Sequence, residues 1–191
     1  MRNRMVLMAA AAAMVLAGCG DGGSGPNTTT APTTTGTFTD APESAPRDAL
    51  PKRGAPSNGA GVTVSDLRIG HHPGFDRVVY EFGGAGTPGW IVQYTEQAIQ
   101  DGSGKVIDVA GRSILEVQIT GSAYPFDSGV TPYSGPDPAT DPSAPAIAGV
   151  YRTTVFEGTT QSFIGVNADR PNFAVGTLTN PTRLVIDIAT A

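Results

Sequence analysis

The sequence predicts an all-β domain, a β-sandwich of two small sheets, preceded by a disordered linker. Three observations predict it. From Val62 onward, Val, Ile, Phe, Tyr and Thr gather in short alternating runs separated by Gly, Pro, Asn and Asp, the punctuation of strands and turns. No long stretch carries the 3.6-residue period of an amphipathic helix. The stretch 62–191, about 130 residues, is long enough for one real core.

The chain opens with Arg2 and Arg4, an uncharged apolar run Met5–Leu16, and then Leu16-Ala17-Gly18-Cys19, which holds the only cysteine. This is the order of a lipobox, in which a signal peptidase cuts before the cysteine and the cysteine carries lipid, palmitate among the acyl groups expected. At about 1.5 Å per residue the apolar run is too short for a hydrocarbon core of roughly 30 Å, so a retained transmembrane helix is the weaker reading. Residues 1–18 therefore read as a lipoprotein signal peptide. Cys19 becomes the lipidation site, and the protein is expected outside the cytoplasm on the outer face of the cell membrane. Two or more acyl chains anchor durably where one does not. Once modified, Cys19 is unavailable for a disulfide.

The precursor carries 12 basic and 17 acidic residues, a net charge of −5. Cleavage before Cys19 removes Arg2 and Arg4 and no acid, which leaves ten against 17, or −7. An acidic surface argues against nucleic acid and against a basic patch for anionic lipid heads, so the lipid does the anchoring alone.

Residues 19–61 form the anchor and linker. Positions 20–61 are rich in Gly, Ser, Thr, Pro and Ala, with Phe38 and Leu50 almost alone as large apolar side chains. Such a segment buries too little to offset its ordering entropy. As a flexible coil it reaches roughly 35 Å, enough to hold a domain clear of the membrane. The runs Thr28–Thr30 and Thr33–Thr35 beside Pro32 read either as O-glycosylation substrate or as plain spacer.

Strands are expected at about 62–69, 76–83, 89–95, 105–109, 113–120, 148–157, 161–166, 173–178 and 182–189, with a short helical turn near Thr95–Gln100. Two of them share a pattern. Arg77-Val78-Val79-Tyr80-Glu81-Phe82 and Arg183-Leu184-Val185-Ile186-Asp187-Ile188 both read basic, apolar, valine, apolar, acidic, apolar. Alternation puts Val78, Tyr80 and Phe82 on one face and the charged residues on the other. Paired antiparallel in register, Arg77 would face Asp187 and Glu81 would face Arg183. The stripe reads as a ligand contact or, more simply, as a charge ladder that fixes register. The match also hints at an internally duplicated half.

Arg68-Ile69-Gly70-His71 and Gly74-Phe75-Asp76-Arg77-Val78-Val79-Tyr80-Glu81-Phe82 resemble the opening of the AMIN-like domain found in exported actinobacterial lipoproteins. Phe156-Glu157-Gly158, Gly165-Val166 and Asn180-Pro181-Thr182-Arg183-Leu184-Val185-Ile186-Asp187 resemble its closing half. The resemblance covers residues 62–191. It implies a two-sheet β-sandwich and, through the wider AMIN family, a role in targeting to peptidoglycan or the envelope. No amidase or other catalytic module accompanies it in this sequence, and a fold does not bring its function with it.

Residues able to carry chemistry are few. His71 and His72 are adjacent and point to opposite sides of an extended backbone, so they do not easily share one metal. Asp76 near His71 offers an acid–base pair without a nucleophile. No nucleophile elbow, Ser-x-x-Lys, His-Glu-x-x-His or phosphate loop is present, and Gly102-Ser103-Gly104-Lys105 reads as a turn. Asp127, Asp137 and Asp141 lie in the proline-rich stretch Gly121–Gly149 without EF-hand spacing. That stretch is long for a loop within a compact domain, and such loops are functional or disordered. Tyr124, Phe126 and Tyr133 are candidate sugar-stacking residues, although the simpler reading has Tyr124 and Phe126 packing down as anchors. Trp90 reads as core or as a half-exposed strand-end platform.

The expectation is a non-enzymatic, membrane-anchored lipoprotein without cofactor or metal, whose β domain binds cell-wall glycan or an envelope protein. Its candidate contacts are Arg77, Glu81, Arg183, Asp187, Trp90, Tyr124 and Tyr133. The alternative is a lipid or small-ligand carrier with a cavity between the sheets. A hydrolase would need a polar cluster around His71, Asp76 and Glu81.

Overall fold

The computed structural model describes residues 46–190. The leader, Cys19, the threonine runs and the spacer through residue 45 lie outside the described residues. Along the described chain run β1 (Lys52–Gly54), β2 (Gly61–His72), β3 (Phe75–Ala85), β4 (Gly89–Thr95), β5 (Ser113–Thr120), α1 (Pro125–Ser128), β6 (Ile147–Phe156), β7 (Thr159–Val166), β8 (Phe173–Leu178) and β9 (Thr182–Ala189). They build two antiparallel sheets, one ordered β2-β3-β9-β8 and the other β1-β4-β5-β7-β6. The architecture is the β-sandwich that the alternation predicts.

Strand alternation supplies the core. Val78, Tyr80 and Phe82 on β3 and Leu184, Ile186 and Ile188 on β9 turn inward from one sheet. Leu115, Val117 and Ile119 on β5 and Ile164 and Val166 on β7 meet them from the other. Each fully buried side chain of this kind contributes about 1.5–3 kcal/mol. The sheets are also joined by a polar link in the core, the Tyr80 hydroxyl at 2.9 Å from Ser162 Oγ.

The β3–β9 register places Arg77 opposite Asp187 and Glu81 opposite Arg183, the arrangement the two look-alike runs imply. These strands are neighbours in one sheet. Their shared pattern is that of an antiparallel pair, which sets unlike charges across from each other.

Three local expectations fail. Residues 105–109 form no strand; Val106 makes a single bridge to Ile99, and its side chain is exposed. An apolar run without a sheet neighbour gains nothing from extension. Thr95–Gln100 forms no helix; the one helical turn among the described residues is α1, with proline in its first turn. The folded part also begins before Val62. Lys52 pairs opposite Val92 and Gly54 opposite Trp90, while Asp48 bridges Phe173. A Cβ on Gly54 would stand 2.7 Å from the Trp90 indole, so the missing side chain is what lets β1 approach. Backbone pairing of this kind leaves no compositional trace.

The stretch Gly121–Gly149 is a strap. Its first part follows the edge of β2: Val62 N–H donates to Gly121 O at 3.0 Å, Ala123 N–H to Val62 O at 2.8 Å and Tyr133 N–H to Val64 O at 2.9 Å. Its second part follows the edge of β6, where Ala139 and Val150 exchange two backbone hydrogen bonds of 2.9 and 2.8 Å. The strap therefore covers one edge of each sheet, which also blocks strand addition there. Phe126, expected as an anchor, is 81% exposed and stacks on Tyr124 at 5.3 Å between ring centroids. Ala139, Ala144 and the partly buried Tyr133 provide the apolar anchorage instead.

Candidate functional site

The charged stripe of the outer face is largely matched within itself. Arg77 donates from Nε to Asp187 Oδ1 at 2.6 Å and from Nη2 to Asp187 Oδ2 at 2.9 Å, a bidentate pair. Asp187 is 4% exposed. Glu81 faces Arg183 across the ladder, but its carboxylate takes the Arg68 guanidinium at 2.7 Å, and Arg68 also reaches Asp66 at 2.9 Å. Arg183 is left with the Pro181 carbonyl at 3.3 Å. The guanidinium of Arg77 also lies over Phe75, 5.1 Å from the ring centroid. The sequence had not reckoned with Arg68, which β2 brings to this face through the β2–β3 register.

The histidine reading resolves into a structural tie. His71 Nδ1 lies 2.6 Å from Oδ1 of the fully buried Asp76, whose Oδ2 accepts the Ala146 N–H at 2.7 Å. The pair pins the β2–β3 hairpin to the strap. Glu81 has the opposite strand parity to Asp76 and joins the outer stripe, so no cluster of these three forms. His72 turns away and stacks on Phe75 at 4.9 Å. Among the described residues no group of three or more His, Cys, Asp and Glu is placed to hold a metal. Asp127, Asp137 and Asp141 stay apart. Asp137 accepts the Arg152 main-chain N–H, and Asp141 accepts from Ser143, whose hydrogen bonds hold its pKa below the ordinary value.

A cleft of about 450 Å³ opens between the sheets beneath the strap. Thr63, Val64 and Tyr80 line it from one sheet, Arg152–Val155 and Thr160–Ser162 from the other, and Tyr124, Pro125, Pro132 and Tyr133 from the strap. Two of the candidate aromatics, Tyr124 and Tyr133, thus belong to one site. Trp90 is not among the lining residues; it packs against the core beside Gly54.

Many polar groups of this wall already have protein partners. Ser162 Oγ donates to Tyr151 O at 2.7 Å and accepts the Tyr80 hydroxyl. Burial pushes the Tyr80 pKa well above its ordinary value, with the Ser162 hydrogen bond opposing. Thr153 Oγ1 donates to Gln161 O at 2.7 Å, and Thr160 Oγ1 to Ser122 Oγ at 2.9 Å. The Gln161 amide accepts from Asp101 N–H and donates to Ile99 O and Glu116 Oε1. What faces the cleft is therefore mostly carbon.

Arg152 is the wall residue that sequence reasoning missed. Nη1 and Nη2 donate to the carbonyls of Tyr133 and Gly135, both at 3.0 Å, and the guanidinium sits 4.5 Å from the Tyr133 ring centroid. It fastens the strap over the cleft. Simple alternation does not signal it: Arg152 shares strand parity with the buried Val150 but also with the exposed Thr154, and the β6–β7 register shifts between Arg152 and Val155.

Comparison with known families supplies the remaining observation: the AMIN-like domain model matches residues 62–190. The chain belongs to the AMIN-like domain family. No curated protein and no solved structure matches it. The AMIN-like domain begins at Val62, so β1 and the Asp48 bridge are contributed from outside the matched region. Membership indicates an envelope-associated domain of a generally non-catalytic, binding kind. The cleft, the strap and Arg152 all lie inside the AMIN-like domain.

Proposed function

We propose that the protein is a non-enzymatic lipoprotein, anchored to the outer face of the cell membrane through Cys19, whose AMIN-like domain holds a small, largely apolar ligand between its sheets. The carrying observation is the cleft of about 450 Å³ with a carbon-dominated wall, a size within the range of small-molecule sites. The outer stripe favours the structural role, because its best-placed carboxylate is buried under a bidentate arginine.

The test is native mass spectrometry of the full chain purified from cell membranes, beside a Thr154→Trp variant. Thr154 is exposed at the rim, so the indole closes the cleft without entering the core. Retained small molecules in the parent protein, absent from the variant, are the expected result. A parent protein that carries no ligand and takes up none from a membrane lipid extract would overturn the proposal.

A second reading rests on the exposed Tyr124–Phe126 stack, a surface on which sugar rings of cell-wall glycan would lie, or where an envelope protein would dock. Co-sedimentation of the full chain with purified peptidoglycan checks the glycan version. Protein that stays in the supernatant removes it.

A further inference from the structure

Among the described residues, Arg152 is the only formally charged one lining the cleft. Its guanidinium partners are two neutral carbonyls and a tyrosine ring, and no carboxylate pairs with it among the described residues. Asp137 meets only its main-chain N–H. Among the described residues, Arg152 Nε is also the one buried side-chain nitrogen or oxygen without a hydrogen-bond partner. A buried polar atom left in this state calls for an explanation, a missing ligand among them. The wall is thus apolar carbon with a single uncompensated positive charge.

We infer that the cleft takes a single-chain anionic amphiphile: one acyl chain between the sheets against Val64, Tyr80 and Val155, with its carboxylate or phosphate head beside Arg152. This deepens the ligand-binding reading above and rests on it. Because the wall's hydroxyls and amides largely bond to protein, a ligand with many hydroxyls, such as a sugar, would leave its own donors unmatched inside. An acyl chain carries none. The one charge asks for one anionic head, and a charge-assisted hydrogen bond to arginine is the strong kind. Held beside a membrane by its anchor, the domain meets acyl chains before other apolar solutes. A free fatty acid and a lysophospholipid share this chemistry.

Isothermal titration of the full chain, below the micelle concentration, compares palmitate, palmitoyl-lysophosphatidylglycerol and hexadecanol. At least one anionic probe is expected to bind about tenfold tighter than hexadecanol. Whichever does so names the source of the ligand. Arg152→Gln should bring that probe down to hexadecanol's affinity, Arg152→Lys should keep the preference, and Thr154→Trp should weaken all three. Equal binding of charged and neutral probes would overturn the anionic head and leave the cleft as a ligand site. No binding of any probe to folded protein would overturn both readings. If Arg152→Gln does not fold, the comparison of probes on the parent chain still decides.

Discussion

Arg77 and Arg183 occupy matching places in two look-alike strands and serve different ends. Arg77 clamps Asp187 with two hydrogen bonds, its side chain 15% exposed and that of its partner 5%. Arg183 reaches one carbonyl at the long limit of a hydrogen bond. Removing the first leaves a nearly buried carboxylate without its counter-charge, whereas removing the second leaves nothing unmatched. Arg77→Ala is therefore expected to cost about 3 kcal/mol, and Arg183→Ala less than about 0.5 kcal/mol. Urea unfolding with unchanged slope measures both. Equal losses would mean that the clamp contributes no more than exposed charge. The stripe was legible in the sequence because it is local to two strands of matching pattern. The diversion of Glu81 to Arg68 was not legible, since it depends on which strand lies on the far side of β3.

At the scale of elements, the hairpins show which sequence signals are strong. Pro73-Gly74 joins β2 to β3 with His72 opposite Phe75, and Gly74 takes φ 88°, the positive value a tight turn needs after proline. The β6–β7 turn is Glu157-Gly158, with φ of 46° and 76° and Phe156 opposite Thr159. Positive φ at both central residues is the mirror-image type I turn that suits the twist of paired strands, and asparagine is the preferred first residue. Glutamate carries a Cβ penalty there of about 1–2 kcal/mol, which asparagine partly escapes by local hydrogen bonding. Glu157→Asn is thus expected to stabilise the protein by about 0.5–1 kcal/mol, read as a higher urea midpoint. No gain would indicate that Glu157 makes a compensating contact in solution. Strand positions were legible because alternation and turn residues agree. The run 105–109 misled because apolar alternation does not say whether a partner strand is available.

Across the whole molecule, the sandwich follows from which face of each strand is apolar, and that is written locally along the chain. The cleft is different in origin. It exists because the strap is held both to β6, at Val150 and Arg152 just beyond it in the chain, and to β2 at Val64, a contact far apart in sequence. Tyr124 and Tyr133 stand out in the sequence as aromatics in a long loop, but nothing local places them over a gap between sheets. The proposed lipid anchor belongs to a third kind of feature, an expectation of the sequence that lies outside the described residues. Its consequence is separable from the fold, because β1–β9 are built from residues 52–189 and none of them involves Cys19. With the leader removed by cleavage, Cys19→Ser is expected to move the protein from the membrane fraction to the soluble exported fraction, since an acidic domain is repelled rather than held by an anionic surface. Its thermal midpoint and its affinity for palmitate should match those of the acylated form. Fractionation followed by immunoblotting reads the first outcome, and calorimetry the second. Protein that stayed firmly with the membrane after the substitution would show that something other than Cys19 anchors it. A midpoint that fell would show that the anchor and the sandwich are not independent.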